Sequence, residues 1–495
     1  MVLEENFFDI SWSSPTLFRN TRIGAIAILK IRGVEVENGD LNSANHTWWP
    51  QMTHAQSQAK LVGKEAPSMR VVPFGGFLIR NLANVHKKYP DIAHLRLGVA
   101  DFYLITNPEL VQEVLVTKQR GFMKGEYLQR TKKVFGEGLL TSEGDFHHRE
   151  RGLVQPMFHR DRINSYAKIM SAYAERMTST WRNGEILDMH KEMMKLTMSI
   201  VAKCLFDADI ESESETIAKD LTTTIEYFNR LSSPLSGILQ KMPTNRKDEK
   251  AVKRIDSMVY DLIKNKRRSA KEAGDLMSML LQARDENGAE MTDSQIRDEV
   301  LILFTAGHET TANALTWTLY LLSENPSARA KLDAEIDSLI SGSSLPSAED
   351  VPKLEYATKV FTESMRIYPP AWILPREALS DILIGGYLIP AGANVVMSQF
   401  VNHHDPRFFP DPEKFLPERW TNEFKEKLPK FAYFPFGGGS RSCIGEPFAW
   451  MEGVLLLVTI ARKWRMHHVP RHKVEMLPRI TLRPKYGMKM QLLKS

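Results

Sequence analysis

The longest periodic stretch of the chain opens at Thr292-Asp293-Ser294-Gln295. Thr followed three residues later by Gln is a capping-box pattern that starts helices. Apolar positions then recur at Val300, Leu301, Leu303, Phe304, Ala312, Leu315, Trp317 and Leu321 until Asn325-Pro326 stops the run. A helix of about 30 residues would span about 45 Å, enough to cross a whole domain. Its apolar residues cover more than one side, as expected of a buried central helix. A second helical stretch covers roughly Lys353 to Ile367 and stops at Tyr368-Pro369-Pro370. Another begins near Glu446.

Strand-like runs are short. His94 to Leu97 and Phe102 to Ile105 flank Gly98-Val99-Ala100-Asp101 and predict a hairpin. Ile382 to Ile389 and Asn394 to Ser398 flank Pro390-Ala391-Gly392 and predict a second strand pair. After Asn107-Pro108 the chain turns mostly helical. Residues 402 to 420 hold four prolines and little periodicity, so an ordered but irregular stretch is expected there. Residues 1 to about 65 show no sustained period and read as an extension, in part disordered. No repeat or low-complexity linker divides the remainder, so 66–495 reads as one mainly α domain.

Composition narrows the class. Hydrophobic residues make up 43% and charged residues 25% of the 495, ordinary for a globular protein. Lys plus Arg is 65 against 60 for Asp plus Glu, a net charge of +5 that argues against a dedicated nucleic-acid binder. Two cysteines cannot build a disulfide framework, which points to a reducing, intracellular compartment. No segment approaches the roughly 18–20 apolar residues that span a bilayer. The run Ile23–Leu29 is broken by Lys30 and Arg32 and preceded by Glu4, Glu5 and Asp9, unlike a secretory signal. A soluble cytoplasmic protein without a transmembrane anchor is expected, at most peripheral to a membrane.

Of the two thiols, Cys204 sits in the apolar run Ile200–Phe206 and reads as a buried hydrophobe. Cys443 stands in Phe436-Gly437-Gly438-Gly439-Ser440-Arg441-Ser442-Cys443-Ile444-Gly445. Glycines let backbone N–H groups approach a sulfur closely, Arg441 brings positive charge, and the following helix would aim its positive end at the site. All three favour a thiolate. The segment matches Phe-x-x-Gly-x-Arg-x-Cys-x-Gly at every specified position, and on it the chain resembles the cytochrome P450 family. The resemblance implies the P450 fold, with the long helix lying over a haem beside a small β-rich subdomain. It implies haem b as cofactor and Cys443 as axial ligand to the iron, with Phe436, Gly437, Arg441 and Gly445 around it.

Three further segments carry the resemblance. Ala306-Gly307-His308-Glu309-Thr310-Thr311 puts glycine and a carboxylate inside an apolar helix, an odd choice on packing grounds. In the family this pattern opens a groove beside the haem. Ala306 and Gly307 would border the cofactor, while Glu309 and Thr310 would relay protons to dioxygen. Glu363-Ser364-Met365-Arg366 matches the family's Glu-x-x-Arg, a buried pair tied to Pro417-Glu418-Arg419-Trp420, where Trp replaces the usual Phe. Glu363, Arg366 and Arg419 are thereby expected to be structural. His147 and Arg151 stand at the positions of the family's Trp-x-x-x-Arg; with Arg376 and Arg441 they would face the haem propionates.

The implied activity is a monooxygenase that hydroxylates a hydrophobic substrate, with resemblance to prokaryotic carotenoid hydroxylases and to fatty-acid hydroxylases. The chain ends about 50 residues after Cys443, so electrons are expected from a separate ferredoxin- or flavodoxin-type donor with its reductase. Lys425, Lys427, Lys430, Arg441, Arg462 and Lys463 would attract an acidic partner. Two other classes stay open at this point. A peroxide-driven peroxygenase or haem isomerase would need no electron donor, and a non-catalytic haem sensor would need no acid–alcohol pair.

Overall fold

Short alternating runs rich in β-branched and aromatic residues set the first layer. β1 (Ser68–Arg70) lies parallel to β2 (Ile92–Leu97), which pairs antiparallel with β3 (Ala100–Ile105). The expected hairpin pairing is present, although its turn residues 98–99 lie outside the described residues. The computed structural model describes residues 63–70, 77–97, 100–208, 245–269, 275–340 and 344–495, with isolated positions between 217 and 227 and Gly342. All belong to one unit, Leu61–Ser495. The extension expected over residues 1–65, with its Ile23–Leu29 run, lies outside them except for 63–65.

β4 (Phe122–Met123) completes one edge of the same sheet. Helices then dominate: α1 (Gly144–Val154), α2 (Arg160–Ser179) and, after the short β5 (Ile186–Asp188), α3 (Met189–Phe206). The long helix α4 runs from Asp293 to Glu324. Both halves of its capping box form: Gln295 N–H donates to the Thr292 hydroxyl at 3.2 Å, and Thr292 N–H to the Gln295 carboxamide oxygen at 2.8 Å. Leu301, Ala312, Leu315 and Trp317 are buried on several sides of it. The Trp317 indole, fully buried, donates to the Leu482 carbonyl at 3.0 Å. α4 packs along α3 on one side and against α5 (Glu355–Ile367) on another.

Beyond α5 come β6 (Leu374–Ala378), β7 (Ile382–Ile384), β8 (Tyr387–Ile389) and β9 (Asn394–Met397). Here the structure corrects the sequence reading. β9 does not pair with the 382–389 run; it joins the large sheet, parallel to β3 and antiparallel to β6, giving the order β1-β2-β3-β9-β6-β4. The 382–389 run folds on itself, because Gly385 and Gly386 adopt φ of 56° and 83° and turn the chain after three residues. Lys64 extends that hairpin, donating its N–H to the Gly386 carbonyl at 2.8 Å.

α6 (Gln399–His403) leads into the proline-rich stretch, which holds only turns and the 3₁₀ turn Pro417–Arg419 before residue 420, as expected. α7 (Glu446–Ala461) starts three residues after Cys443 and packs on α2 and α4. The chain closes with β10 (Trp464–His468), β11 (Met476–Pro478), β12 (Leu482–Pro484) and β13 (Lys489–Lys494). β13 lies between β10 and β5, and β11 pairs with β12. One apolar core joins α1, α2, α3, α4, α5 and α7, and a second lies under the large sheet. Among the described residues no helix is long and apolar enough to cross a membrane.

Candidate active site

The cysteine loop is held by its own backbone. Cys443 N–H donates to the Phe436 carbonyl at 2.9 Å, and Gly437 N–H to the Phe434 carbonyl at 3.0 Å. Gly437 and Gly439 have φ of 73° and 70°, the left-handed region that other residues rarely enter. A Cβ on Gly439 would also run into the Leu115 carbonyl oxygen. A Cβ on Gly445 would sit 3.9 Å from Cys443 Sγ, so the backbone there passes close to the sulfur. The Phe436 ring packs against Trp450 of α7 at 5.8 Å.

The Cys443 sulfur is ringed by protein while its own surface is exposed. Burial pushes its thiol up and the Glu446 carboxylate adds to that; the N–H groups of Gly445 and Glu446 and the charge of Arg151 act in the opposite sense without cancelling it. The cation acting on the sulfur is thus Arg151 of α1, whose Nη1 donates to the Ser442 carbonyl at 2.9 Å. Arg441 is engaged elsewhere, with the Glu143 carboxylate and the Ser142 carbonyl.

Arg441 instead belongs to a group of basic side chains converging from four segments. His147 is buried, and burial followed by the charges of Lys124, Arg441 and Arg151 drives its pKa down to about 3. Arg376 on β6 is buried; burial and then Arg441 lower it to about 10, and its Nη1 donates to the Pro375 carbonyl at 2.8 Å. Lys124, which sequence reasoning did not single out, is also buried. Its Nζ donates to the carbonyls of Leu139 and Ser142 at 2.5 and 2.9 Å, and burial, then Arg441, lower it to about 7. No spacing rule marks a lone Lys. Only the fold brings it here.

On α4 the Thr310 hydroxyl donates to the Ala306 carbonyl at 2.8 Å. Ala306 is exposed although residues on both flanks of the helix are buried, and Gly307 backs onto Val201 of α3. Glu309 faces another way. Its carboxylate takes the Arg483 Nε at 2.6 Å and the Thr481 hydroxyl. Thr481 in turn accepts from Asn313 Nδ2 at 3.2 Å, and Asn313 meets His190 at 3.1 Å. Burial acts to raise the Glu309 pKa, but the Arg483 charge and hydrogen bonds outweigh it and hold the group ionised. No hydrogen bond joins Glu309 to Thr310 among the described residues. Arg483 and Thr481 lie more than 170 residues downstream, beyond the reach of any local motif.

A second acid escaped the sequence reading. Glu452 of α7 is completely buried, and among the described residues neither carboxyl oxygen has a hydrogen bond of ordinary geometry, the Thr311 hydroxyl being the polar group beside it. Burial lifts its pKa to about 8, with the Thr311 hydroxyl pulling the other way. Its folded-state pKa lies above the unfolded value. The stability tied to the neutral form is therefore fully present below about pH 4.5 and lost as pH rises through about 8. Glu452→Gln, which keeps a neutral side chain, should flatten the fall in unfolding free energy between pH 6 and 9 by up to a few kcal/mol. Parallel profiles for both proteins would remove this assignment.

Glu363 and Arg366 are fully buried and form two bonds of 2.9 Å each. Arg419 Nε adds a third at 2.9 Å, Leu416 N–H a fourth at 3.0 Å, and the Trp420 indole a fifth at 2.8 Å. The Trp at 420, where Phe was expected, thus contributes a donor to the carboxylate.

The described site thus has two parts: a thiol in a glycine loop just before the helix α7, and a central helix whose Ala306 is exposed between buried flanks. Residues 69–491 match the family model for Cytochrome P450, and the chain belongs to the cytochrome P450 family. It is 38% identical over 397 residues to cyclooctatin synthase of Streptomyces melanosporofaciens, covering 79% of this chain and 86% of that protein. It is 36% identical to cyclooctat-9-en-7-ol 5-monooxygenase of the same organism, over 77% of this chain and 83% of the relative. The solved heme domain of cytochrome P450DA has the same fold, with a TM-score of 0.79 at 24% identity over 88% of this chain and 99% of that one.

The protein is a monooxygenase whose cofactor is haem b. Its residues fit that group. Lys124, Arg376 and Arg441 repel one another, with Glu143 bonded to Arg441 and Glu299 acting on Lys124, and Arg151 joins Lys124 and Arg441 around His147; that collection of cations suits further anions such as two propionates. The sulfur is met by two backbone N–H groups suited to a thiolate.

Proposed function

We propose that the protein hydroxylates a terpenoid, with Cys443 as the residue that would hold the haem iron. The observation that carries the site reading is the Cys443 loop, where left-handed Gly437 and Gly439, the bond from Cys443 N–H to the Phe436 carbonyl and the close backbone of Gly445 hold the sulfur just before α7, with Arg151 on the Ser442 carbonyl. Bound haem supplies dioxygen activation and the insertion of one oxygen atom into a C–H bond. Phe436, Gly437 and Gly445 shape the thiolate side. Lys124, His147, Arg151, Arg376 and Arg441 would hold the propionates, and neutral His147 could donate one hydrogen bond.

Ala306 and Gly307 would leave room for the group beside α4, and the Thr310 hydroxyl, whose proton rests on the Ala306 carbonyl, would turn from that carbonyl to present it there. To pass a proton toward Thr310, Glu309 would first leave Arg483 and take a proton from solvent, because a carboxylate tied to Thr481 and Arg483 has none to give. Electrons come from a ferredoxin- or flavodoxin-type donor docking on the basic cysteine-loop face. Of the lysines near Cys443 in sequence, Lys427 and Lys463 already pair with Glu423 and Glu175, whereas Lys425 and Lys430 have no ion pair among the described residues. Those two lysines are the side chains offered to the partner.

The substrate class rests on the relatives, one of which is named for cyclooctat-9-en-7-ol, and on the apolar lining expected of such pockets. Titrating the ferric enzyme with a cyclic diterpene alcohol, a carotenoid and a long-chain fatty acid tests it. The terpene alcohol should displace iron-bound water and shift the spin state at micromolar concentration. A shift with the fatty acid alone would reject the terpenoid assignment.

A further inference from the structure

His403 closes α6 and is fully buried, yet it belongs to none of the groups assigned above. Its Nε2 accepts the N–H of Phe434 at 3.1 Å. Phe434 is itself buried, and its carbonyl receives the Gly437 N–H that starts the cysteine loop. Two residues on, the Phe436 carbonyl receives the N–H of Cys443. A short chain of hydrogen bonds therefore runs from the imidazole into the loop that presents the sulfur.

The backbone of His403 is fixed as well. Arg366 Nη1 donates to the His403 carbonyl at 2.9 Å, so the residue is anchored to the Glu363–Arg366 pair. The Met365 and Arg366 carbonyls, at the C-terminal end of α5, lie on the Nδ1 side, although Nδ1 makes no hydrogen bond of ordinary geometry. The rings of Tyr433 and Phe434 pack on the imidazole at 4.8 and 5.7 Å, and the Tyr433 hydroxyl donates to the Thr362 carbonyl at 3.1 Å. An Nε2 that accepts must carry no proton, so the tautomer is Nδ1–H. Burial, His404 and Arg366 all oppose a second proton, which keeps the acceptor available.

We infer that His403 is a positioning residue for the thiolate: through Phe434 and Phe436 it sets the attitude of the cysteine loop and hence the hydrogen bonds the Cys443 sulfur receives. An apolar residue there would leave the Phe434 N–H buried without an acceptor. The loop would then shift to satisfy it, and the sulfur would lose donors whose contribution to a metal–ligand bond is of this indirect kind. The inference rests on Cys443 being the ligand.

The test uses the haem-loaded protein and reads the ferrous–CO spectrum with the thermal midpoint of each variant. His403→Phe should convert the thiolate-type band to the blue-shifted thiol-type band, raising the proportion of the latter about tenfold at temperatures well below its midpoint. His403→Gln places a carboxamide oxygen near the Nε2 position and should restore the thiolate band. Should His403→Phe not accumulate as folded protein, His403→Asn, whose acceptor lies at the Nδ1 position, carries the same expectation. A full thiolate band in folded His403→Phe or His403→Asn would overturn the inference, as would a lost band in His403→Gln. If wild type itself lacks the thiolate band, the ligand assignment has failed instead, and this inference falls with it.

Discussion

Glu363→Gln is expected to destabilise the folded protein by roughly 3–5 kcal/mol, as measured by denaturant unfolding of the haem-loaded enzyme. The carboxylate is the common acceptor for Arg366, Arg419, Trp420 and the Leu416 N–H, all in the interior or at its edge. Glutamine keeps the volume but loses the charge and turns one oxygen into a donor facing other donors. Arg366 would then be a fully buried guanidinium without its counter-charge, although three main-chain carbonyls, of His403, Pro412 and Lys414, still receive its protons. The asymmetry decides the size of the effect, since breaking a buried pair costs far more than the pair contributes when whole. A loss below about 1 kcal/mol would mean that the pair behaves like a surface ion pair.

Thr310→Ala should leave folding nearly unchanged and damage the reaction. The hydroxyl makes a single hydrogen bond, to the Ala306 carbonyl of its own helix, and the residue is only half-buried, so the stability change should stay within about 1 kcal/mol. Removing the proton donor nearest the groove should lower product formed per NADPH consumed by about tenfold or more, with the missing electrons appearing as peroxide. Thr310→Ser, which restores a hydroxyl, should recover much of that coupling. Unchanged coupling in Thr310→Ala would take Thr310 out of proton delivery.

What the sequence made legible follows from how local each signal is. The capping box at Thr292 and the stop at Asn325 mark α4 because helix ends are decided within a turn or so of chain. The cysteine loop was equally readable, since its glycines and thiol are consecutive. Pairing of β9 was not. Its partners β3 and β6 are chosen by the sheet, while the nearer 382–389 run was already turned back on itself by Gly385 and Gly386. The approach of Arg151 to the cysteine loop was out of reach for the same reason. Arg441 is two residues from Cys443 but is drawn to Glu143, and Arg151 reaches the sulfur from almost 300 residues away. Glu309 was visible as an acid beside Thr310, whereas its tie to Arg483 and Thr481 exists only once β12 and the turn before it meet α4. Glu452 carried no signal at all, because a Glu in a helix is normally exposed.

The claim on which the rest depends is that Cys443 binds the haem iron as a thiolate, and the absorption spectrum of the ferrous–CO complex tests it most directly. Wild-type protein should show the strongly red-shifted Soret band of a thiolate ligand, and Cys443→Ala should lose it. A wild-type band at the position of histidine-ligated haem, or a red-shifted band that survives in Cys443→Ala, would contradict the assignment.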